Sequence, residues 1–433
     1  MAANKNTTNI KSRIEKATVC IVGLGYVGLP LVEAFVKKVM VIGYDIDAKR
    51  VNKLSRNISN PHLFFTNDPA EIARADFVII CVPTPITKIK DPDLKSVESA
   101  AATIGRNLKK GSVVILESTV YPGVTEEIVK PILEKESGLK CIDDFKIAYA
   151  PERVNPGDAE HVIEKIWKVV SGIDEETKDL VAELYGLIIP NIFKARNIQT
   201  AEAAKVIENI QRDLNIALMN ELALIFEKLH LDTKDVLDAA GTKWNFHRYS
   251  PGLVGGHCIP VDPYYLVRRA QEYGYHSQVI SAGRAINDAM PKHVAEMTIK
   301  ALNDAGKVIK GSKVLIIGLT YKENVPDTRE APQKYIVEEL KSYGITTFGY
   351  DPLLDITEAE AEFGTQMLEN LEKCTRFDAA ILAVAHDIFK ENRQGINLKG
   401  LKKIMSLRPV LVDVRRYFNG EEATLKGFRY RTL

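Results

Sequence analysis

The chain has 433 residues, enough for two or three domains. Its 45% hydrophobic and 27% charged residues are typical of a soluble globular protein, and a net charge of +1 lacks the basic excess that nucleic acid or an anionic membrane surface attracts. The five cysteines are scattered, and neither C-x-x-C nor H-x-x-H spacing occurs. We therefore predict a cytoplasmic protein with no metal site and no nucleic-acid or membrane partner.

The N-terminal segment lacks the apolar core of a signal peptide, which predicts a disordered lead over residues 1–16. From Ala17 onward, strand and helix signals alternate, as is typical of a parallel α/β sheet. The candidate buried strands are short runs rich in β-branched residues: Thr18–Val22, Val39–Tyr44, Phe77–Val82, Val113–Glu117, Lys146–Ala150 and Val169–Ser171. Together they predict an N-terminal Rossmann domain over residues 17–199.

The pattern changes near Thr200, where a segment without Gly or Pro runs to Leu231. Its apolar residues recur at helical spacing: Val206, Ile210, Leu214, Ala217, Leu218, Leu222, Ile225 and Leu229. About 30 helical residues would span about 45 Å, which suits a helix that connects domains or forms a dimer. We therefore predict a central helical dimerisation domain over residues 200–305 and a homodimer or higher homo-oligomer.

A second α/β series begins near Lys313 and repeats features of the first. VCIVGLGYVG followed by VIGYDID is similar to VLIIGLTYKE followed by TFGYDPL. This repeat predicts a second Rossmann-like domain over residues 306–433. The expected fold class is therefore α/β, with two Rossmann-like parallel-sheet domains joined by a long-helix central domain.

The first repeat carries Gly23, Gly25 and Gly28 directly after a strand and at the start of a helix. In a dinucleotide-binding turn these glycines make the tight turn, admit the pyrophosphate and allow the helix to pack on the strand. Asp45 follows about 20 residues later and suits the adenosine ribose, which favours NAD over NADP. A glycine turn with no ligand is the alternative interpretation.

Polar segments also follow the ends of three predicted strands: Pro83-Thr84-Pro85, Glu117-Ser118-Thr119 and Pro151-Glu152-Arg153. Ligands of open α/β sheets bind at the carboxyl ends of strands. Any one of these segments could be a capped turn, but three at one edge indicate a binding site beside the cofactor.

Two further features suggest chemistry. Lys205, Asn209 and Arg212 are spaced to share one face of the long helix, although such a face is commonly just solvated. Cys258 lies in the loop GLVGGHCIPVDPYYL, where a thiolate could be reached, whereas Cys20 and Cys81 lie in apolar strands. A buried structural cysteine is the alternative at Cys258.

Taken together, the motifs resemble the UDP-glucose/GDP-mannose dehydrogenase family over about residues 17 to 420. They are GLGYVGLP, Glu117–Thr119, Pro151–Arg153, Lys205 with Asn209, GGHCIPVDP, and GLTYKENVPDTREAP at Gly318–Pro332. The resemblance implies an NAD-dependent, two-step oxidation of a sugar-nucleotide C6 alcohol to a carboxylate. It also implies a C-terminal domain that binds the UDP-sugar.

Specific roles are carried over from the family's motifs. The implied nucleophile is Cys258; Lys205, Asn209 and Asp262 surround the C6 oxygen, and Thr119 and Glu152 order and activate water. The implied cofactor contacts are Gly23, Gly25, Tyr26, Val27, Gly28, Asp45, Pro83, Thr84, Ser118, Thr119 and Arg329. The implied substrate contacts are Glu152, Arg153, Lys205, Asn209, Arg212, His247, Arg248, Gly255, Tyr264, Tyr265, Lys322 and Arg415.

His257 and the following Pro-Val-Asp-Pro-Tyr-Tyr run resemble the branch that acts on UDP-N-acetylhexosamines, and we favour UDP-N-acetylmannosamine for a role in glycan precursor synthesis. The gluco and galacto epimers and UDP-glucose remain open. Two other functions compete: a two-electron hydroxyacid-type dehydrogenase, which has no use for Cys258, and a catalytically silent NAD or sugar-nucleotide binding protein.

Overall fold

The computed structural model describes residues 14–153, 165–371, 376–390 and 396–433. The chain forms two compact units. The first comprises Met1–Glu208 and Val261–His276, and the second comprises Asn209–Pro260 and Ser277–Leu433. The predicted lead over 1–13 lies outside the described residues, but Ile14, which we assigned to it, is buried in the core. Ordered structure therefore begins before Ala17.

The first unit contains a six-stranded parallel sheet with the order β3-β2-β1-β4-β5-β6 and a separate parallel pair, β7-β8. The strands are β1 (Thr18–Val22), β2 (Met40–Tyr44), β3 (Leu63–Thr66), β4 (Phe77–Ile80), β5 (Val113–Leu116), β6 (Lys146–Tyr149), β7 (Trp167–Val170) and β8 (Asn191–Lys194). The helices are α1 (Gly28–Phe35), α2 (Ala48–Asn57), α3 (Lys95–Arg106), α4 (Lys130–Ser137) and α5 (Glu175–Gly186), with a 3-10 helix at Pro69–Arg74 and a π-helix at Thr125–Val129.

Helix α6 (Ile198–Leu229) is the predicted long helix, and the boundary between the two units falls within it. It begins two residues before the predicted Thr200, where the Asn197 side chain accepts a hydrogen bond from the Thr200 amide at 2.8 Å. It ends before His230, whose φ of +57° no longer continues a right-handed helix. Of the described helices, none is both long and apolar enough to cross a membrane.

The second unit contains another six-stranded parallel sheet, with the order β11-β10-β9-β12-β13-β14. Its strands are β9 (Lys313–Ile317), β10 (Thr346–Tyr350), β11 (Gln366–Met367), β12 (Phe377–Leu382), β13 (Met405–Asp413) and β14 (Arg429–Thr432). The remaining helices are α7 (Thr233–Ala240), α8 (Asp262–Glu272, in the first unit), α9 (Val279–Asp304), α10 (Gln333–Ser342), α11 (Ile356–Phe363), α12 (Leu398–Ile404) and α13 (Gly420–Leu425), with a 3-10 helix at Asp387–Phe389.

Both sheets are covered on both faces. In β1, Val19 and Ile21 pack into one hydrophobic cluster, whereas Cys20 and Val22 pack into another. Successive side chains of β9 divide between two clusters in the same way. A parallel sheet buried on both faces needs continuous apolar strands, which is the pattern from which the strands were predicted. The predicted fold class, with two Rossmann-like sheets and a helical middle, is confirmed.

Candidate functional site

The glycine motif forms the turn between β1 and α1 in the first unit. Gly23 has a φ of +97°, and its amide donates to the Tyr44 carbonyl at 2.8 Å. A Cβ on Gly28 would lie 1.9 Å from the Gly23 carbonyl oxygen, so the helix can begin here only with glycine. Gly25 is half-buried, Val27 is half-buried and Tyr26 is exposed. The turn therefore has the backbone geometry that brings helix amides up to a phosphate.

Asp45 lies at the end of β2 beside this turn. One carboxylate oxygen accepts from the Leu24 amide at 2.8 Å and from Arg50 at 3.2 Å, and the other accepts from the Asp47 amide at 2.9 Å. The carboxylate thus fixes the turn and has lone pairs left for a ribose hydroxyl. The glycine turn and Asp45 fit the dinucleotide that the sequence predicts.

The ends of β4 and β5 are tied together beside the turn. The Ser118 hydroxyl donates to the Val82 carbonyl at 2.6 Å, which joins the segment Ser118-Thr119 to Pro83-Thr84. Thr119 and Thr84 are half-buried and Pro83 is exposed, so these predicted cofactor residues line one sheet edge.

The segment after β6 carries Glu152 and Arg153, both half-buried. A Glu152 carboxylate oxygen accepts from the Arg153 amide at 2.7 Å. The Arg153 guanidinium pairs with Glu208 at 2.9 Å and donates to the Trp167 carbonyl at 2.8 Å. Arg153 therefore fastens the end of this segment, a role that the predicted substrate contact did not anticipate.

Sequence reasoning missed two buried acids next to these segments. Glu117 forms a buried ion pair with Lys168, which in turn donates to the Pro151 carbonyl at 2.9 Å. Glu202 accepts from the Gly123 and Thr125 amides at 2.6 and 2.9 Å, and burial raises the pKa of its carboxyl to about 7. Glu117 belongs to a motif that the sequence analysis named and Glu202 lies at the start of the long helix, but only the tertiary structure reveals their burial.

On the long helix, Lys205 is buried, Asn209 is half-buried and Arg212 is exposed. A buried lysine departs from the solvated face that is the common fate of helix charges. At the start of α8, Asp262 is 2% exposed. Lys205 and Asp262 therefore do not lie on a solvated surface, and their catalytic roles stay predictions.

Two aromatic residues follow Asp262. The Lys90 ammonium lies 5.5 Å from the ring centroid of the half-buried Tyr264. Tyr265 is fully buried, and its hydroxyl donates to the Pro85 carbonyl at 3.2 Å. Tyr265 thus packs in the core, and its expected substrate contact stays a prediction.

The cysteine loop belongs to the second unit. Gly256 has a φ of +87°, and a Cβ there would lie 2.7 Å from the Tyr321 ring. Gly255 is packed as closely, against Glu330 and Pro332. The loop that carries Cys258 therefore lies directly on the segment Tyr321–Pro332, and the structure brings together two motifs separated by over sixty residues.

Cys258 differs from the other described cysteines. It is half-buried, whereas Cys20, Cys81 and Cys141 are buried. Burial raises the pKa of the Cys20 thiol to about 12 and that of Cys81 well above its usual value. Cys20 and Cys81 are therefore protonated at neutral pH and unsuited to nucleophilic attack, as the sequence predicted.

The same unit holds a cavity of about 730 Å³ at the carboxyl end of its sheet. Arg415 lines this cavity and pairs with Glu323 at 2.7 Å, next to the half-buried Lys322. This cavity is also lined by Asn397, Tyr417 and the acidic side chains of Asp387 and Glu422.

Three other predicted contact residues, Arg329, His247 and Arg248, are exposed. Arg329 is 42% exposed and pairs with Asp327, whose pKa is lowered because hydrogen bonds from Arg329 outweigh the effect of burial. His247 and Arg248 are exposed in the connection after α7, where Arg248 donates to the Gly241 carbonyl at 3.1 Å.

Sequence profiles of the UDP-glucose/GDP-mannose dehydrogenase family match the chain in three segments. The NAD binding domain matches residues 17–189, the central domain matches residues 199–289, and the UDP binding domain matches residues 315–420. The first segment contains the glycine turn, the second contains the cysteine loop, and the third contains most of the residues that line the cavity of the second unit.

Similar proteins match over nearly the whole chain. Protein CapL of Staphylococcus aureus is 48% identical over 425 residues, which cover 95% of this chain and 99% of that protein. The UDP-N-acetyl-D-glucosamine 6-dehydrogenase of Pseudomonas aeruginosa is 45% identical over 421 residues, covering 94% and 99%. The structure of UDP-D-ManNAc dehydrogenase from Pyrococcus horikoshii has a TM-score of 0.85 at 31% identity, covering 96% and 98%.

Proposed function

Because the chain belongs to the UDP-glucose/GDP-mannose dehydrogenase family and is an NAD-dependent UDP-sugar dehydrogenase, we propose that it oxidises the C6 alcohol of a UDP-N-acetylhexosamine to the carboxylate through a covalent intermediate on Cys258. The observation that carries this proposal is the packing of the cysteine loop on the segment Tyr321–Pro332. The half-buried Cys258 thiol and the cavity lined by Arg415 therefore belong to the same unit.

The first oxidation converts the alcohol to an aldehyde, with loss of a hydride from C6 and of the hydroxyl proton to solvent. NAD, when bound, accepts one hydride in each oxidation, so each sugar requires two NAD molecules. The Lys205 ammonium stabilises the negative charge that develops on the C6 oxygen, and the Asn209 amide donates a hydrogen bond to it. Asp262 completes the polar group around this oxygen.

The second oxidation proceeds on the enzyme. The Cys258 thiolate bonds to the aldehyde carbon and gives a thiohemiacetal, whose oxidation yields a thioester. Thr119 orders a water molecule, and the Glu152 carboxylate takes a proton from it as the water oxygen bonds to the acyl carbon. The C–S bond then breaks, and Cys258 leaves as a thiolate.

The sugar epimer is the finer question. The residues around Cys258 led us to favour the manno epimer. The UDP-N-acetyl-D-glucosamine 6-dehydrogenase of P. aeruginosa is 45% identical, against 31% for the UDP-D-ManNAc dehydrogenase of P. horikoshii, and this supports the gluco epimer. We therefore place UDP-N-acetylglucosamine first and UDP-N-acetylmannosamine second, with a product used as a glycan precursor.

The test uses Cys258→Ser and a panel of UDP-sugars. A serine alkoxide is far harder to form at neutral pH than a thiolate, so the variant should bind NAD normally but fail to complete the reaction. Glu152→Gln should instead retain the acyl group on Cys258, seen as a mass increase. Full turnover of Cys258→Ser to the uronic acid would contradict covalent catalysis, and a UDP-glucose kcat/KM above those of all N-acetylhexosamines would contradict the substrate class.

We further propose that the chain forms a homodimer through the long helix. Ile207, Leu218, Ile225 and Leu229 are 45–59% exposed. At 100° per residue they fall within about 40° of one another on the helix surface. Sedimentation should show a dimer at micromolar concentration, and a wild-type monomer there would contradict this assembly.

A further inference from the structure

A buried ionic cluster lies at the carboxyl ends of β5 and β6 in the first unit. The side chains of Glu117 and Lys168 are 0% and 1% exposed and form an ion pair. The Tyr185 hydroxyl donates to the other Glu117 oxygen, and the Lys168 ammonium lies 4.6 Å from the Tyr185 ring centroid. We refer to Glu117, Lys168 and Tyr185 as the buried triad.

Burying two charges is costly, because neither keeps its water shell and their attraction only partly compensates. Apolar residues would fill this place in the core with less desolvation. A buried ion pair that is kept at this cost is expected to hold a neighbouring group in place.

Lys168 has one further contact, with the backbone that precedes Glu152. Its ammonium donates to the Pro151 carbonyl at 2.9 Å. Pro151 lies two residues after the end of β6 and precedes Glu152. The Lys168 hydrogen bond therefore fixes the peptide group that joins Pro151 to Glu152.

The electrostatics place Glu152 near the triad as well. Burial raises the pKa of the Glu117 carboxyl to about 7; Lys168 opposes this rise, and the charge of Glu152 adds to it. Glu152 thus lies within electrostatic reach of the triad, as well as next to the peptide that Lys168 holds.

We propose that Lys168 is a positioning residue for the hydrolysis step, and that Glu117 and Tyr185 keep its ammonium aimed at the Pro151 carbonyl. The inference depends on the proposed function, in which Glu152 takes the proton of the attacking water. If Glu152 is displaced, water attacks the thioester slowly and the C–S bond to Cys258 persists. Both oxidations precede this step, so they proceed while the acyl-enzyme accumulates.

The variants separate this role from simple stabilisation. Lys168→Met alone would leave the Glu117 carboxylate buried with only the Tyr185 hydroxyl as a partner, so the test uses the double variant Lys168→Met/Glu117→Gln. Glu117→Gln alone keeps the Lys168 ammonium but removes the charge that pairs with it. The matched control is Lys146→Met, which removes another lysine of the first unit, at the opposite end of β6 and paired with Asp174.

The measurement is the fraction of protein carrying the acyl adduct during turnover, read by intact mass after acid quenching, together with the NADH time course. The double variant should accumulate the adduct and show a burst of about two NADH per active site before a steady state at least tenfold slower than wild type. The KM for the UDP-sugar should change less than threefold. Glu117→Gln should raise the adduct less than the double variant does, because the Lys168 ammonium remains but has lost its ion pair. Lys146→Met should stay close to wild type.

A double variant that is slow without accumulating adduct, or that turns over like wild type, would overturn the inference. Glu152→Gln, measured in parallel, separates the two proposals: if it also shows no adduct, the proposed hydrolysis step itself is wrong. Tyr185→Phe is the milder variant should the double variant not fold, since it removes only a hydroxyl. It should raise the adduct about threefold, and a wild-type level would contradict the role of the triad.

Discussion

The two Rossmann-like sheets share one local device, a turn held by an acid, and use it differently. In the first unit, Gly23 has a φ of +97° and the Leu24 amide donates to Asp45 at 2.8 Å. In the second, Gly318 has a φ of +82° and the Leu319 amide donates to Asp351 at 2.7 Å. The repeat seen in the sequence is therefore a repeat of hydrogen bonding.

The acids differ in what covers them. Asp45 is reached by Arg50, whose side chain is 48% exposed. Asp351 and His386 are both 0% exposed and lie 3.1 Å apart. The Asn324 amide donates to His386 Nδ1, so the proton lies on Nε2 and a neutral imidazole donates to Asp351. The second acid is sealed and has become part of the scaffold.

The helix after the turn differs as well. The residue that corresponds to Gly28 in the second repeat is Glu323, and the next helix begins only at Gln333. The intervening segment carries Lys322 and meets the cysteine loop, and Glu323 lines the cavity with Arg415. The turn with a third glycine and an acid that contacts an exposed arginine is therefore the cofactor turn. The second turn lacks both features, and its residues face another ligand.

The largest effect is expected from Gly28→Ala. A Cβ would lie 1.9 Å from the Gly23 carbonyl, so α1 must move away from the turn. We expect NAD binding to weaken by about 100-fold or more, because a clash of this kind costs about 3 kcal/mol. Calorimetric titration checks this, with UDP binding as the test of folding. Glu323→Ala, at the corresponding position, should leave NAD binding unchanged; equal effects of both variants would contradict the comparison.

The next effect concerns the sealed acid. Asp351→Asn leaves the amides of Leu319 and Leu353 and the His386 ring poorly matched in a buried site. We expect the free energy of unfolding to fall by about 2–3 kcal/mol, measured by urea denaturation. Asp45→Asn should cost about 1 kcal/mol, because Asp45, although buried itself, is bordered by the exposed Arg50 and not by a buried histidine. A larger loss for Asp45→Asn would show that these neighbours do not distinguish the two acids.

Asp45→Ser tests cofactor choice. Without the carboxylate, a 2′-phosphate is no longer repelled and Arg50 is left to attract it. We expect the preference of kcat/KM for NAD over NADP to fall by about tenfold. Asp351→Ser serves as the control, and an unchanged preference in Asp45→Ser would remove Asp45 from the ribose site.

The smallest effect is on pH dependence. The pKa of Asp351 in the second unit is lowered, whereas the pKa of Glu202 in the first unit is raised. For Asp351, burial alone would raise the pKa, but hydrogen bonds from His386 and backbone amides hold it below its usual value. For Glu202, burial raises the pKa from 4.5 to about 7.

A raised carboxyl pKa stabilises the folded state below the unfolded value, and this contribution is lost as pH rises through the folded value. Stability from Glu202 should therefore fall between pH 4.5 and about 7. Glu202→Gln should flatten this part of the unfolding profile. The exposed Glu33→Gln is the control, and an unchanged slope in Glu202→Gln would contradict the shift.

Much of the architecture could be predicted because local pattern determines it. All six strands predicted in the first unit match within two residues, since apolar β-branched runs form strands in a sheet buried on both faces. Strand β3 and the half-exposed β8 were missed, because their short runs lack that pattern. The strand predicted over Val169–Ser171 starts at Trp167, because Lys168 did not resemble a buried strand residue.

The site was predictable where chemistry and spacing coincide, as in the glycine turn, whereas the role of Cys258 stays a prediction. It was not predictable where burial gives a residue its role. Glu117 and Lys168 are 51 residues apart, and no local signal marks either as a partner of the other. Tyr265 was predicted as a ligand contact from its place in a motif, and its burial adds a packing role that the motif does not show.

The most direct test of the central claim is the number of NADH molecules formed per UDP-N-acetylhexosamine consumed to completion. A four-electron oxidation through Cys258 requires two, with the uronic acid as the sole sugar product. One NADH per sugar, with the aldehyde as the final product, would contradict the covalent second oxidation and place the enzyme among two-electron dehydrogenases.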